Sequence, residues 1–483
     1  MEQLLKKPEK HLVGMLSKTN RIKEKLRMKK KLLSVLAILL LVITFVAGCG
    51  KQSETPAMSE QGIPTIDQIK LGEDYKDLKV NITVLTFRTD IMDKLNGYAE
   101  EFRKMYPGIN VTYEGVDDYE ASVLVYLNSN TDWGDIMMIP VGLEKNKVGE
   151  YFIALGTEDV LSQTYNYTGA WAYDGNIYGL ASTGNANGLM YNKKVFEDAG
   201  ISDLPKTPEQ FMDALSAIRK NTDAIPLYTN YADEWPMSCW DAYMGINATG
   251  DPTYINQVIV HTENPFADNG DGTHPYAVYK ILYDAVNQGL TEEDYTTTSE
   301  ALSYGMLNNG EIGVLAFPSW GVVQAMDAGE HPEDVGFMPF PITVDGKQYV
   351  SVNGDYSYGI NKNSTNDEQI ASMIYMKWLI HESGYDYGEG GLAVLKSGKS
   401  PEFYSALSEC EFLEDIPALA GEETFFGSLN TETGLLFNAN GNAKGQDIVE
   451  HAFLNDKSFD EIMNEWNERW TAAQKKYSIE ISK

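Results

Sequence analysis

The side chains that could do covalent chemistry in this sequence are not arranged to do it. Six histidines (His11, His261, His274, His331, His381 and His451) never fall at metal-ligand spacing. The phosphate-loop pattern GxxxxGKS/T, the zinc-protease pattern HExxH and the nucleophile pattern GxSxG are all absent. Asp268-Asn269-Gly270-Asp271-Gly272 has the look of a calcium loop. With Gly272 as the turn glycine, however, the position needing a bidentate Glu falls on Val278. Gly388-Glu389-Gly390-Gly391-Leu392-Ala393 fits a relaxed dinucleotide fingerprint, yet it follows a helical run, so no helix N-terminus stands ready for a phosphate. Acid pairs such as Asp117-Asp118 and Glu292-Glu293 read as solvated surface. No catalytic group, metal or cofactor is expected. Flat rings and polar side chains could instead bind a solute without altering it. The candidates are Trp320, Trp235 next to Glu234, Arg88 near Asp90, the group Asn353, Asp355 and Tyr356, and Trp133.

Such groups need a scaffold, and 483 residues at 43% hydrophobic content can supply one of two or three domains. A net charge of −32 argues against nucleic-acid binding, which requires a basic surface. Three cysteines cannot frame a disulfide scaffold; Cys239 and Cys410 either pair or stand as separate buried thiols. The charge is split. Residues 1–48 carry eleven basic and three acidic side chains, leaving the rest at −40, a self-repelling surface that favours a monomer.

Met28-Lys29-Lys30-Lys31 leads into an uncharged run at 32–46, shorter than the roughly 20 residues of a membrane-spanning helix. Small residues then precede a thiol in Val46-Ala47-Gly48-Cys49. The segment resembles a bacterial lipoprotein signal. That implies a signal peptide at 28–48, cleavage before a lipidated Cys49, and anchorage on the extracellular face of the cell membrane. Residues 1–27 precede a complete signal and read as a start placed too early. Residues 49–77 are expected to form the anchor and its tether, with 50–61 polar and without periodicity.

In the body, Val80–Thr86 is β-rich, and Leu95, Tyr98, Ala99, Phe102, Met105 and Tyr106 recur at helical spacing before Pro107-Gly108. Strands at 110–114 and 135–139 flank a helical run at 119–128. Alternating strand and helix predicts a parallel, doubly wound sheet. A second series starts near Met190. It includes a capping signature at Thr207-Pro208-Glu209-Gln210, an apolar strand at 311–317 ending before Trp320, and a strand region at 350–360 interrupted at Asn353-Gly354-Asp355. Helices follow near 367–381 and from Ser458, with Trp378, Trp466 and Trp470 on buried stripes.

The wording at 96–114 (NGYAEEFRKMYPGINVTYE), Gly134-Asp135-Ile136-Met137, Leu189-Met190-Tyr191-Asn192-Lys193-Lys194-Val195-Phe196 and Asn309-Gly310-Glu311-Ile312-Gly313-Val314, in that order, resembles bacterial extracellular solute-binding proteins of family 1. These are the carbohydrate-binding subunits of ABC importers, similar to maltodextrin-binding protein. The resemblance covers about 80–480. It implies an α/β, two-lobed fold of the periplasmic-binding-protein type, each lobe a doubly wound sheet flanked by helices, with ligand in the cleft between lobes. It places lobe one at 78–186 plus 351–412 and lobe two at 189–345 plus 424–480, with crossings near 184–188, 343–353 and 411–423. It also implies a sugar or oligosaccharide ligand and ABC permease subunits as partners. Trp320 and Trp235 become stacking plates for sugar rings, with Glu234, Arg88, Asp90, Asn353, Asp355 and Tyr356 as polar contacts. Pro140-Val141-Gly142 lacks the Asp-Arg contact some relatives carry there, and Asn353-Gly354-Asp355-Tyr356 replaces a commoner glycine-rich stretch, leaving the particular sugar open. A surface glycoside hydrolase, a sensor lipoprotein of the same fold, and a receptor for a non-sugar ligand remain as alternatives.

Overall fold

The structure, a computed structural model, describes residues 62–129, 132–438 and 443–482, all within a compact body spanning 57–483. The expected signal at 28–48 and the lipidation site Cys49 lie outside the described residues. Among those described, no helix is long and apolar enough to cross a membrane.

The strands that organise the body are β1 (Val80–Thr86), β2 (Ile109–Gly115), β3 (Ile136–Met138), β4 (Leu180–Ala181), β5 (Gly184–Ala186), β6 (Gly188–Asn192), β7 (Ile225–Tyr228), β8 (Ile312–Leu315), β9 (Val335–Pro339), β10 (Tyr349–Gly354), β11 (Ser357–Ile360) and β12 (Glu411–Leu413). One sheet has the order β2-β1-β3-β11-β4 and another the order β7-β8-β6-β9. The third, β12-β10-β5, is made of the passages between them: Val352 of β10 lies opposite Ala186 of β5, and Val350 opposite Phe412 of β12. Two α/β layers joined by three crossings form a two-lobed fold.

Neither main sheet is wholly parallel. β1 runs parallel to β2 and β3, and β7 to β8, as strand–helix–strand alternation requires. By contrast, β11 is antiparallel to β3 and β4, and β6 to β8 and β9. Those strands reach their sheets directly from a crossing, without a helix to turn them round.

Local sequence accounts for the helices between. In Met92–Met105 the buried Leu95, Ala99 and Phe102 stack on one face. Asn366–His381 begins with a reciprocal capping box, Thr365 and Glu368 each bonding the other's backbone N–H, and Phe459–Tyr477 does the same with Ser458 and Glu461. At Thr207 only half the box forms: the Gln210 carboxamide reaches back to the Lys206 N–H, 2.8 Å away. Trp378, Trp466 and Trp470 are buried as their stripes predict. Burying such a ring contributes on the order of 2–3 kcal/mol.

The tether ends earlier than expected. Ile63, Ile66 and Ile69 are buried, and the Lys377 ammonium donates to the carbonyls of Ile66 (2.9 Å), Asp67 (3.2 Å) and Ile69 (2.6 Å). Apolar residues at every third position suit the 3₁₀ turn Ile66–Gln68, so the chain joins the body from Ile63 and not from residue 78.

Candidate functional site

β1 delivers Phe87 and Arg88 to the carboxyl edge of the first sheet. The Arg88 guanidinium grips Asp90 through Nε and Nη2, both at 3.0 Å, and its Nη2 also reaches Glu389 Oε2 at 2.9 Å. Glu389 Oε1 accepts from Lys94 Nζ at 2.6 Å. Arg88 is only 16% exposed and Glu389 5%, against 55% for Asp90, so the network is anchored inward and open at one end. Burial pushes the Asp90 carboxyl up, but its bonds to Arg88 more than offset this and hold it below the usual range.

Tyr356 stands on the same edge. Its ring lies 4.7 Å from Phe87 and edge-on to Tyr119 at 6.1 Å. Burial raises the Tyr356 hydroxyl, and a bond to the Glu120 carboxylate raises it further. Glu120 also accepts the Val141 N–H at 3.1 Å, fixing the Pro140-Val141-Gly142 segment. The Asp355 carboxyl is raised by burial, partly offset by the Tyr356 N–H and the charge of Arg88.

The second lobe supplies the rings. Beyond β7 the chain makes a 3₁₀ turn at Tyr231–Asp233 and then passes through Glu234 at φ +61°. That conformation costs a non-glycine residue about 1–3 kcal/mol and persists only where neighbours enforce it. It starts the 3₁₀ helix Trp235–Tyr243, whose first ring stacks on Phe317, 5.8 Å away and 12° from parallel. Trp320, five residues beyond β8, lies 5.9 Å from Trp235 and 5.5 Å from Phe317, and Tyr304 backs Phe317 at 5.8 Å. Both tryptophans stay part-exposed, and Glu234 is exposed.

One crossing strand connects the two groups. The Asp355 N–H donates to the Thr183 carbonyl at 2.8 Å, while Ser319, beside Trp320, donates its N–H to the Ala186 carbonyl at 2.9 Å. Thr183 to Ala186 is three steps of about 3.3 Å, so the backbone attachment points of the polar and aromatic groups lie roughly 10 Å apart along the strand. Asn353, exposed, lies opposite Asn185 on this floor.

Eight of the nine expected ligand residues therefore gather at the crossing. Trp133 does not. It is buried against Phe152 at 5.6 Å, just before β3, beside a hollow of about 890 Å³ lined by Asn81, Thr83, Asp135 and Asn361 at the opposite edge of the sheet. The residue precedes its strand, which is why it cannot reach the carboxyl edge. Sequence reasoning missed Phe317, whose signal was its place at the end of the apolar run before Trp320. It also missed Phe87, Tyr119 and Glu389, the last an isolated charge inside a glycine run. Cys239 and Cys410 are separate thiols, buried and half-buried.

Comparison with known proteins fits this geometry. A family model described as bacterial extracellular solute-binding protein matches residues 88–383. A manno-oligosaccharide-specific solute-binding protein of Bifidobacterium animalis subsp. lactis, solved with mannotriose, is 46% identical, with 85% of this chain and 98% of that one covered and a TM-score of 0.77. The diacetylchitobiose-binding protein of Streptomyces coelicolor is 40% identical over 58 residues, 12% of this chain. The multiple sugar-binding protein of Streptococcus mutans is 22% identical over 188 residues, 38% of this chain. The chain spans only 12% and 44% of those two curated relatives' lengths. All three are binding proteins by name. With two lobes, three paired crossings and a family match over most of its body, the chain belongs to the bacterial extracellular solute-binding protein family.

Proposed function

We propose that this protein captures a manno-oligosaccharide between its lobes and hands it, chemically unchanged, to the permease of an ABC importer. The observation that carries this reading is the pairing of an aromatic wall (Trp235, Trp320) with a polar one (Arg88, Asp90, Asp355) across a single crossing strand. A pyranose offers both complements: apolar C–H faces that pack on indole, and hydroxyls that need donors and acceptors. The mannotriose-bound relative supports the mannose class, and the names of the other two relatives, a diacetylchitobiose-binding and a multiple sugar-binding protein, support a sugar ligand more broadly.

In this reading lobe one comprises 78–186 plus 351–412, joined by Ile63–Ile69, and lobe two comprises 189–345 plus 424–480. Asn353, Tyr356 and Glu234 complete the polar set, and Trp133 supports lobe one from within. Lipidation of Cys49 anchors the monomer on the outer face of the membrane. No carboxylate pair is assigned to bond cleavage, since Arg88 and Lys94 engage Glu389, and Asp90 is bound to Arg88.

Isothermal titration with mannotriose tests the reading. Saturable binding is expected, with Trp320→Ala weakening it by about 30-fold, the equivalent of about 2 kcal/mol for a buried aromatic anchor. Release of reducing ends from the saccharide would instead identify a hydrolase.

A further inference from the structure

The glycine-rich run at 388–392 touches three parts of the molecule that closure must move together. Its carboxylate, Glu389, holds Arg88 and Lys94 at the ligand-facing edge of lobe one. Its last residue, Leu392, exchanges two backbone hydrogen bonds with Gly184 of the crossing strand, 2.7 and 2.9 Å, while Gly391 lies so close to Thr183 that a Cβ there would overlap the threonine hydroxyl. In the middle, Gly390 at φ +76° abuts helix Gly321–Asp327 of lobe two. A Cβ on Gly390 would fall inside the van der Waals surface of Val323 Cγ2. The Gly390 carbonyl accepts from the Tyr404 hydroxyl at 3.0 Å, and the Tyr404 ring packs 6.0 Å from Phe337 of β9.

We propose that the segment 388–392 is an interlobe latch, with Gly390 the abutment on which lobe two lands and Glu389 a positioning residue that orients Arg88 for ligand. The proposal rests on the saccharide-receptor reading above. Its logic is steric and electrostatic. Opening separates Val323 from Gly390, whereas closing seats them only because no side chain intervenes. The same loop carries the carboxylate that fixes the guanidinium, so ligand contact at Arg88 and lobe contact at Gly390 stabilise one arrangement together.

The test measures mannotriose affinity by calorimetry and ligand-induced contraction by small-angle scattering. Gly390→Ala is expected to weaken affinity about tenfold or more and to blunt the contraction. Adding Val323→Ala removes the methyl groups that the new Cβ meets and is expected to restore both to within about threefold of the unaltered protein. The backbone strain of alanine at positive φ persists in the double variant, so rescue isolates the interlobe contact. Gly270→Ala, at φ +75° with open space around it, is the strain control and is expected to bind normally. Glu389→Gln is expected to weaken affinity about tenfold with contraction at saturating ligand preserved. Normal binding and contraction by Gly390→Ala, or a loss that Val323→Ala does not repair, overturns the latch. Failure of the unaltered protein to bind mannotriose or any other saccharide removes the receptor reading itself, a distinguishable result.

Discussion

Trp235 and Trp320 reach their positions by different routes, and this sets how each responds to change. Trp320 follows a buried strand, so its place is inherited from β8 and from the Ser319 bonds to Ala186. Trp235 depends on the strained Glu234 backbone at φ +61°. Glu234→Gly is therefore expected to keep the fold and relieve strain, since glycine populates that region freely, while loosening the Trp235 approach to Phe317. The expected outcome is a thermal midpoint equal to or above that of the unaltered protein with mannotriose affinity reduced several-fold; unchanged affinity would show that the strain does not serve the ring. On the opposite wall, Arg88→Ala leaves the Glu389 carboxylate, 5% exposed, with Lys94 as its remaining cation. It is expected to lower stability by about 1–3 kcal/mol in urea denaturation as well as to weaken binding.

At the scale of elements, a buried ion pair in one lobe and a half-buried histidine in the other report on how the lobes are held. In lobe two, Lys444 and Asp241 are 3% and 0% exposed and pair at 2.8 Å, with the Asp241 carboxylate also accepting from Tyr279 (2.6 Å) and the Asn438 N–H (2.7 Å). Lys444→Met removes the cation that faces that buried carboxylate, and a loss of about 3–5 kcal/mol is expected in denaturant unfolding. In lobe one, His381 ends the helix Asn366–His381, and its Nε2 lies 2.8 Å from the Tyr165 hydroxyl. Burial, and then the charge of Lys377, depress its pKa from 6.5 to about 4. The unfolded chain therefore binds the proton more readily. The stabilisation is complete above pH 6.5 and is lost as pH falls through the window down to about 4. Melting temperature is expected to decline over that window, and His381→Gln to flatten part of the decline.

These elements also show what the sequence could carry. The helices Met92–Met105, Asn366–His381 and Phe459–Tyr477 were legible because periodicity and capping residues are local properties. So were the strand ends that bear Arg88 and Trp320. Antiparallel entry of β6 and β11 was not, because it follows from where the chain crosses between sheets, a non-local event. Trp133 stands before the strand expected at 135–139, and only the assembled sheet shows that this edge faces away from the crossing. Tyr477, which the helical spacing of Ile462, Trp466 and Trp470 would place on their buried stripe, is 43% exposed in the last turn. Glu389 was invisible because its partners, Arg88 and Lys94, lie about 300 residues away in the chain.

At the scale of the whole molecule, the three-stranded crossing sheet is the proposed hinge between the two layers. Ligand that touches both walls favours the closed arrangement by the difference in its affinity for the two. Small-angle scattering of the purified protein during a mannotriose titration tests that claim most directly. A radius of gyration that falls saturably as ligand is added is the expected result; a radius that stays constant at every concentration contradicts the account.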